Sequence, residues 1–250
     1  MSGLSTTDLT VGRPGFRLGP ATFEARPGTI TAVVGPNGSG KTTLLKTLAG
    51  LIPPIAGQIE TTARPALLPA PGSVQAAFST VHLVALGRAA RRPFALSLSS
   101  DDHAAARDAL AAVGLSDLAG RPFDHLSSGQ QQLALLARLT VQDAQVCLLD
   151  EPTALLDPAH RHQVEAAIRA LADAGRTVIV ATHGLDLAAQ ADQVLLAADP
   201  AAIGPPEAML TAERLSALFG APLEVCPCCG QPGFAAARGV GLAARPPHPP

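Results

Sequence analysis

The stretch Gly35–Thr42, which reads GPNGSGKT, constrains the fold of this 250-residue chain more than any other feature of its sequence. It lies between a β-rich run at 29–34 and a helix-like stretch from Lys41 to Ala49. It fits the pattern G-x-x-x-x-G-K-S/T, in which glycines let the backbone curl until successive N–H groups point at one phosphate. The N-terminus of the following helix adds its positive dipole. The sequence therefore predicts a strand, a phosphate-binding loop and a helix, in that order.

Two side chains of this stretch have predicted roles in nucleotide binding. Lys41 supplies a point charge for the β- and γ-phosphates, and the Thr42 hydroxyl can ligate Mg²⁺. Only Lys41 and Lys46 are lysines among the 18 basic residues, so the pattern rarely arises by chance in such a chain. A glycine-rich turn that binds nothing is the alternative. The predicted binding residues of this stretch are Gly35, Pro36, Asn37, Gly38, Ser39, Gly40, Lys41, Thr42 and Thr43.

Two carboxylates follow the apolar run at 146–149, which is typical of a fully buried strand. A carboxylate at the carboxyl end of a central strand can face a phosphate site across the crevice. We expect Asp150 to hold Mg²⁺ through water and Glu151 to orient or deprotonate an attacking water. A solvated acidic pair at a strand end is the alternative for Asp150 and Glu151.

Further runs of apolar residues alternate with helical patterns, which favours an α/β fold with a mostly parallel sheet. Ser100, Asp101 and Asp102 are expected to cap one of these helices. We expect strands at 29–34, 57–60, 66–68, 146–150, 177–181 and 193–197. We expect helices at 41–49, 79–90, 102–113, 128–141, 158–174, 184–191 and 211–219.

The composition excludes several classes of function. With 47% apolar and 15% charged residues, the chain is not disordered as a whole. Its net charge of −2 does not indicate a basic surface that would bind nucleic acid. The chain has no Trp or Tyr, so surfaces on which single-stranded bases stack are not expected. The sequence shows neither an apolar run long enough to cross a membrane nor a secretory signal. We therefore expect a cytoplasmic protein.

The run LSSGQ at 126–130 opens the predicted helix at 128–141. Small and polar residues at a helix N-terminus form an anion site, which predicts ligand contacts for Ser127, Ser128, Gly129 and Gln130. An ordinary N-cap serine is the alternative and explains the same residues.

Taken together, these motifs resemble the ATP-binding subunit of ATP-binding cassette (ABC) transporters. GPNGSGKT corresponds to the Walker A motif and VCLLDE to the Walker B motif of this family. LSSGQ corresponds to the signature motif, which usually reads LSGGQ. ALLD at 154–157 resembles the D-loop, and ATH at 181–183 the segment with the switch histidine. The order and spacing match the family over roughly residues 4–222. RPFDHLSSGQQQ at 121–132 and VALGR at 84–88 are similar to importers for iron–siderophore, haem and cobalamin.

The resemblance implies a P-loop NTPase (RecA-like) core with a mostly parallel sheet, a small reduced antiparallel β-subdomain and an inserted helical subdomain at about 79–141. The ABC ATPase domain would span 1–222, and 223–250 would be a disordered Cys/Pro/Gly-rich tail. Two cassettes would pair head to tail, so that Ser127 and Gly129 of one contact the γ-phosphate held by the other. Asp157, in the D-loop, would be a nucleotide-binding residue, and His183 would be a catalytic residue that reaches the γ-phosphate as a switch.

The resemblance also implies a function: a subunit that binds and hydrolyses ATP with Mg²⁺ to power an importer of iron chelate, haem or cobalamin. Its partners would be integral membrane permease subunits, a second copy of itself and, indirectly, a periplasmic or extracellular substrate-binding protein. It would lie on the inner face of the cell membrane. The alternatives are a regulatory cassette with weak hydrolysis and a soluble ABC protein outside transport, although the latter usually carries two cassettes or a coiled-coil insertion.

The sequence departs from the family pattern at two places. LLPA at 67–70 stands where the family has LLPQ, so Ala70 replaces a glutamine that links Mg²⁺ and water to the membrane subunits; Gln75 is near but out of register. The tyrosine that stacks on adenine is missing, and Arg13 or Phe16 could stack on the base instead.

Three of the four cysteines, Cys226, Cys228 and Cys229, cluster in the predicted tail. They include a C-x-x-C spacing, but zinc needs four ligands, and only His248 or a second chain could complete a site. Thiol redox chemistry and an unstructured tail are the alternatives. We expect Cys147 to be a small core residue.

Overall fold

The computed structural model describes residues 3–13, 15–89, 97–225 and 232–234 of the chain. Its strands are β1 (Leu4–Arg13), β2 (Phe16–Ala25), β3 (Ile30–Val34), β4 (Ala56–Thr61), β5 (Ala66–Leu68), β6 (Val146–Asp150), β7 (Thr177–Thr182), β8 (Gln193–Leu196), β9 (Ala202–Gly204), β10 (Leu223–Val225) and β11 (Pro232–Phe234). Its α-helices are α1 (Lys41–Leu48), α2 (Thr80–Ala89), α3 (Ser100–Ala112), α4 (Ser128–Gln142), α5 (Pro158–Asp173), α6 (Leu185–Ala189), α7 (Pro206–Met209) and α8 (Ala212–Phe219).

The central sheet has six strands in the order β5-β6-β7-β3-β8-β9. Every neighbouring pair is parallel except β8 and β9, which run antiparallel. All residues of β3, β6 and β7 are buried, as expected for parallel strands that are covered on both faces. The predicted mostly parallel sheet is confirmed, and the carboxyl ends of β3 and β6 lie at one edge of it.

Side chains alternate between two cores on the two faces of this sheet. Val33, Leu148 and Ile179 pack with α1 and with a separate antiparallel sheet in the order β2-β1-β4. Val34, Leu149 and their neighbours on the other face pack with residues of α2, α3, α4 and α5. The sheet therefore holds the loop after β3 between one helix and one small sheet.

Most predicted elements agree with the structure to within one or two residues. The sequence analysis gave no strands before residue 29, whereas β1 and β2 together span 4–25 with a turn between them. The cap predicted at Ser100, Asp101 and Asp102 is confirmed for Asp102, which forms a capping box, but the N-cap itself lies one residue before Ser100. Ser99 is the N-cap: its Oγ accepts from the Asp102 N–H at 3.2 Å, and Asp102 Oδ2 accepts from the Ser99 N–H at 2.8 Å.

Within the predicted tail, β10 and β11 pair as a two-stranded antiparallel sheet. Cys226, Cys228, Cys229 and His248 lie outside the described residues, so disorder, metal binding and redox chemistry there stay predictions. The boundaries at 79, 141 and 222 also stay predictions. Among the residues that the structure describes, no helix combines the length and apolar character needed to cross a membrane.

Candidate active site

The loop between β3 and α1 depends on glycine at two positions. Gly38 and Gly40 have φ values of 83° and 91°, in the left-handed region that other residues rarely adopt. A Cβ on Gly40, the N-cap of α1, would also overlap the ring of Phe16. The backbone can therefore curl tightly into the first turn of α1 only because both residues lack a side chain.

Lys41 is held at the base of this loop by backbone carbonyls. Its side chain is buried, and its Nζ donates to the carbonyl oxygens of Gly35 at 2.8 Å and Pro36 at 3.1 Å. The same Nζ lies 3.2 Å from Glu151 Oε1, as an ion pair without a well-aligned hydrogen bond. The positive charge is thus placed and compensated by groups of the chain itself.

Thr42 and Asp150 meet across the gap between α1 and β6. The Thr42 hydroxyl donates to Asp150 Oδ2 at 2.8 Å, whereas Asp150 Oδ1 is buried without a hydrogen-bond partner. Burial raises the pKa of the Asp150 carboxyl, and the Thr42 hydrogen bond opposes that rise. A hydroxyl and a carboxylate with a spare oxygen fit Mg²⁺, which takes oxygen ligands and is usually held by one or two carboxylates plus substrate phosphates.

Glu151 is fixed between Lys41 and His183. Its Oε2 lies 2.7 Å from His183 Nδ1, and since a carboxylate only accepts hydrogen bonds, Nδ1–H is the donor. The backbone N–H of His183 also donates to Oε2, at 3.4 Å. Glu151 has φ 48°, and its own N–H donates to the Ala181 carbonyl at 2.9 Å. The structure thus brings the two predicted catalytic residues together beside Lys41.

Lys41, Thr42 and Glu151 line a cleft of about 370 Å³, whereas Asp150 and His183 do not. The cleft includes Arg13 and Phe16, the two candidates for stacking on adenine, although stacking itself stays a prediction. Lys46 was not among the predicted binding residues, yet it lies here too, so both lysines of the chain face the cleft. The lining residues are Arg13, Phe16, Asn37, Gly38, Gly40, Lys41, Thr42, Thr43, Lys46 and Glu151.

The signature residues 126–130 do not line this cleft. Ser127 is the N-cap of α4: its Oγ accepts from the Gln130 N–H at 3.3 Å, and Gln130 Oε1 accepts from the Ser127 N–H at 3.1 Å. Within one chain these residues therefore behave as an ordinary capping box. Ligand contacts of Ser127, Ser128, Gly129 and Gln130 stay a prediction that needs a second chain.

The loop between β6 and α5 is strained at two of its residues, the first one and Leu155. Glu151 has φ 48° and Leu155 φ 62°, conformations that bulky side chains rarely adopt. The Leu155 side chain is 90% exposed. The loop ends at Asp157, the N-cap of α5, whose Oδ1 accepts from the His160 N–H at 3.0 Å. Strain of this kind clusters at functional sites.

Neither Ala70, which stands at the position of the linking glutamine, nor the nearby Gln75 lines the cleft. Ala70 follows β5 and is half-buried, and Gln75 is exposed.

Cys147 is fully buried, and burial raises the pKa of its thiol to about 11, which confirms it as a core residue. In the described ranges no three His, Cys, Asp or Glu side chains form a cluster able to hold a metal ion.

Several known proteins are similar to the chain over most of its length. The family model described as ABC transporter matches residues 18–154, more than half of the chain. The hemin import ATP-binding protein HmuV of Thermobifida fusca (strain YX) is 37% identical over 225 residues, which cover 83% of this chain and 78% of that protein.

A cobalamin import ATP-binding protein, BtuD of Halobacterium salinarum (strain ATCC 29341 / DSM 671 / R1), is 37% identical over 241 residues, or 89% of this chain and 60% of that protein. A solved metal-chelate type ABC transporter in an inward-facing conformation aligns with a TM-score of 0.83 and 35% identity, covering 89% of this chain and 91% of the other. The chain therefore belongs to the ABC transporter family, in which it is an ATPase.

Proposed function

We propose that the chain is the subunit that binds and hydrolyses ATP to power an importer of haem, cobalamin or a metal chelate. The observation that carries the proposal is the position of Glu151, which is held between Lys41 and His183 beside a phosphate-binding loop. The arrangement offers a positive charge for the phosphates and, 3.2 Å from it, a carboxylate that can take a proton.

Hydrolysis follows from this geometry. The loop N–H groups and Lys41 bind the β- and γ-phosphates, which compete with Glu151 for the Lys41 charge. Thr42 and Asp150 would hold Mg²⁺, which when bound neutralises charge that develops on the phosphate oxygens. Glu151 accepts a proton from the water that attacks the γ-phosphorus, and ADP leaves as the bond to its β-phosphate oxygen breaks. His183 keeps the carboxylate aimed through Nδ1–H.

A second copy of the chain completes the site in this proposal. Ser127 and Gly129, in the N-terminal turn of α4, do not line the cleft of their own chain. A helix N-terminus carries a partial positive charge and unpaired N–H groups, which favour an anion. A head-to-tail pair would place the γ-phosphate of one chain at this turn of the other.

The cargo and the membrane partners are inferred from relatives. Two similar proteins are named for hemin and cobalamin import, and a similar structure is of a metal-chelate type transporter. We infer that permease subunits bind this chain at the inner face of the membrane and that a substrate-binding protein delivers the cargo to them. Uptake of each cargo by proteoliposomes that contain a candidate permease and this chain tests the inference.

The decisive experiment mixes two damaged chains. Ser127→Arg blocks the turn that would face the partner's phosphate, and Lys41→Ala removes the charge of the chain's own loop. In a mixed pair, one site carries both changes and the other carries neither. Recovery of Mg-ATPase activity above that of either variant alone supports the shared site. If mixed pairs form and no activity returns, the head-to-tail arrangement is wrong.

A regulatory cassette with weak hydrolysis is the second candidate, and Ala70 is the observation that favours it. Without a glutamine at this position, nucleotide binding in the cleft has a weaker effect on the conformation of the rest of the chain. Turnover with membrane subunits present separates the two functions. Stimulated hydrolysis supports the transport ATPase, and nucleotide binding without stimulated turnover supports the regulatory cassette.

A further inference from the structure

We propose that His160 is a positioning residue that couples the D-loop to the signature turn within one chain, through Asp157 on one side and Gly129 on the other. The proposal rests on the proposed head-to-tail dimer for its effect on hydrolysis, whereas the coupling itself is a property of the single chain.

The first half of the link joins His160 to Asp157. Asp157 Oδ2 lies 2.6 Å from His160 Nδ1, and because a carboxylate only accepts, Nδ1–H is the donor. Asp157 Oδ1 accepts from the His160 backbone N–H at 3.0 Å. These backbone and side-chain hydrogen bonds hold the pKa of Asp157 below its usual value, so the carboxylate stays ionised at neutral pH. The imidazole ring is thereby fixed to the first turn of α5.

The second half joins His160 to the start of α4. A Cβ built on Gly129 would lie 2.5 Å from both Cδ2 and Cγ of His160 and 2.7 Å from its Cβ. The ring thus occupies the space that any other residue at position 129 would need. Gly129 is the second residue of α4, which begins at Ser128 after the N-cap Ser127. Contact with an oriented ring stabilises this turn against fraying.

The consequence is that Asp157 and the signature turn move as one unit. The proposed partner nucleotide meets Ser127 and Gly129, and Asp157 ends the loop that begins at Glu151. A shift of this loop in one chain therefore shifts the turn that the other chain's γ-phosphate contacts. The hydrogen bond sets the ring orientation, and the ring contact carries the displacement to α4.

Variants of His160 separate the two halves of the link. His160→Gln keeps side-chain N–H donors for the Asp157 carboxylate but removes the ring. His160→Phe keeps a ring against Gly129 but removes the donor to Asp157. His160→Ala removes both. His162→Ala is the matched control, since His162 lies two residues along the same helix and is exposed.

Hydrogen exchange of the nucleotide-free monomer measures the coupling without any dimer. The Ser127 cap remains in His160→Ala, and we take the lost ring contact to weaken this turn by about as much as a cap contributes, about 1 kcal/mol. We therefore expect about fivefold faster amide exchange at 128–132 in His160→Ala. We expect a smaller acceleration in His160→Gln and in His160→Phe, and none in His162→Ala. Wild-type exchange in all three His160 variants refutes the coupling. Wild-type exchange in His160→Phe alone refutes the role of Asp157.

A second measurement connects the coupling to the dimer. In a Glu151→Gln background, Mg-ATP should drive dimerisation, and His160→Gln should weaken it about fivefold without changing ATP affinity of the monomer. If Glu151→Gln with native His160 stays monomeric, the proposed head-to-tail dimer fails while the exchange result still decides the coupling. If the dimer forms equally well with and without the imidazole, the effect of His160 on the partner site is refuted.

Discussion

Replacing Glu151 by glutamine should tighten ATP binding as well as slow hydrolysis. Lys41 Nζ lies 3.2 Å from Glu151 Oε1, with side chains only 6% and 16% exposed. ATP must share this ammonium with the carboxylate, and the γ-phosphate also approaches the negative charge of Glu151. Glutamine removes the competing charge and the repulsion, and both effects favour the nucleotide.

The magnitude follows from the geometry. At 3.2 Å and an effective dielectric constant of about 20, Coulomb's law gives about 5 kcal/mol for an isolated pair. Most of this is offset, because Lys41 keeps its two carbonyl partners and Glu151 keeps His183. A net gain of about 1.4 kcal/mol in the free energy of ATP binding is close to the contribution of one hydrogen bond to a charged group. It corresponds to about tenfold tighter ATP binding. Turnover should fall by about 10²–10⁴, the usual worth of a general base.

The assay is calorimetric titration of Mg-ATP into chains that carry Ser127→Arg, so that pairing does not add to the affinity. Glu60→Gln is the control, because Glu60 is an exposed carboxylate in β4 and does not line the cleft. It should bind ATP as tightly as the parent chain. Equal or weaker binding by Glu151→Gln would show that the ion pair with Lys41 does not oppose the nucleotide, and the reasoning above would be wrong.

Two further predictions concern the loop and the position of the missing glutamine. Gly40→Ala should weaken ATP binding about tenfold, because the φ of 91° and the Phe16 ring both oppose a Cβ at this position. Calorimetric titration of Mg-ATP measures the affinity, and an unchanged value would show that the loop adjusts to the Cβ without cost. Ala70→Gln should raise ATPase activity, or its stimulation by membrane subunits, several-fold, about 1 kcal/mol. Steady-state turnover of wild type, Ala70→Gln and Gln75→Ala measures this, and damage by Gln75→Ala alone would identify Gln75 as the link.

The sequence predicted the parts of the site that are local in the chain. The loop at 35–42, the carboxylates at the end of β6 and the histidine after β7 are each defined by a short motif beside a buried strand, and the parallel sheet brings the strand ends together. Glycine patterns predict backbone conformation because positive φ is a property of single residues. The Lys41–Glu151–His183 arrangement follows from those local signals once the sheet order is known.

Tertiary contacts account for what the sequence did not predict. β1 and β2 were missed because Gly12, Gly19 and Pro20 interrupt their alternation, and the strands are stabilised by each other and by β4. The contact of His160 with Gly129 joins two motifs that are 31 positions apart, and neither motif requires the other by its pattern. The only sequence signal was that glycine stands at 129 where the capping box alone would tolerate alanine.

The loop from Glu151 to Asp157 connects these two kinds of feature. Its first residue is held in the cleft by Lys41 and His183, and its last fixes the imidazole that packs on α4. Left-handed conformations at Glu151 and Leu155 cost energy that other contacts must offset. The ion pair with Lys41 is one such contact, and in the proposed function phosphate binding weakens it. In the proposed dimer, a change in the charge around Lys41 would therefore act on a strained loop whose far end positions the turn offered to the second chain. Nucleotide binding in one cleft and the position of the turn at the other would then depend on the same seven residues.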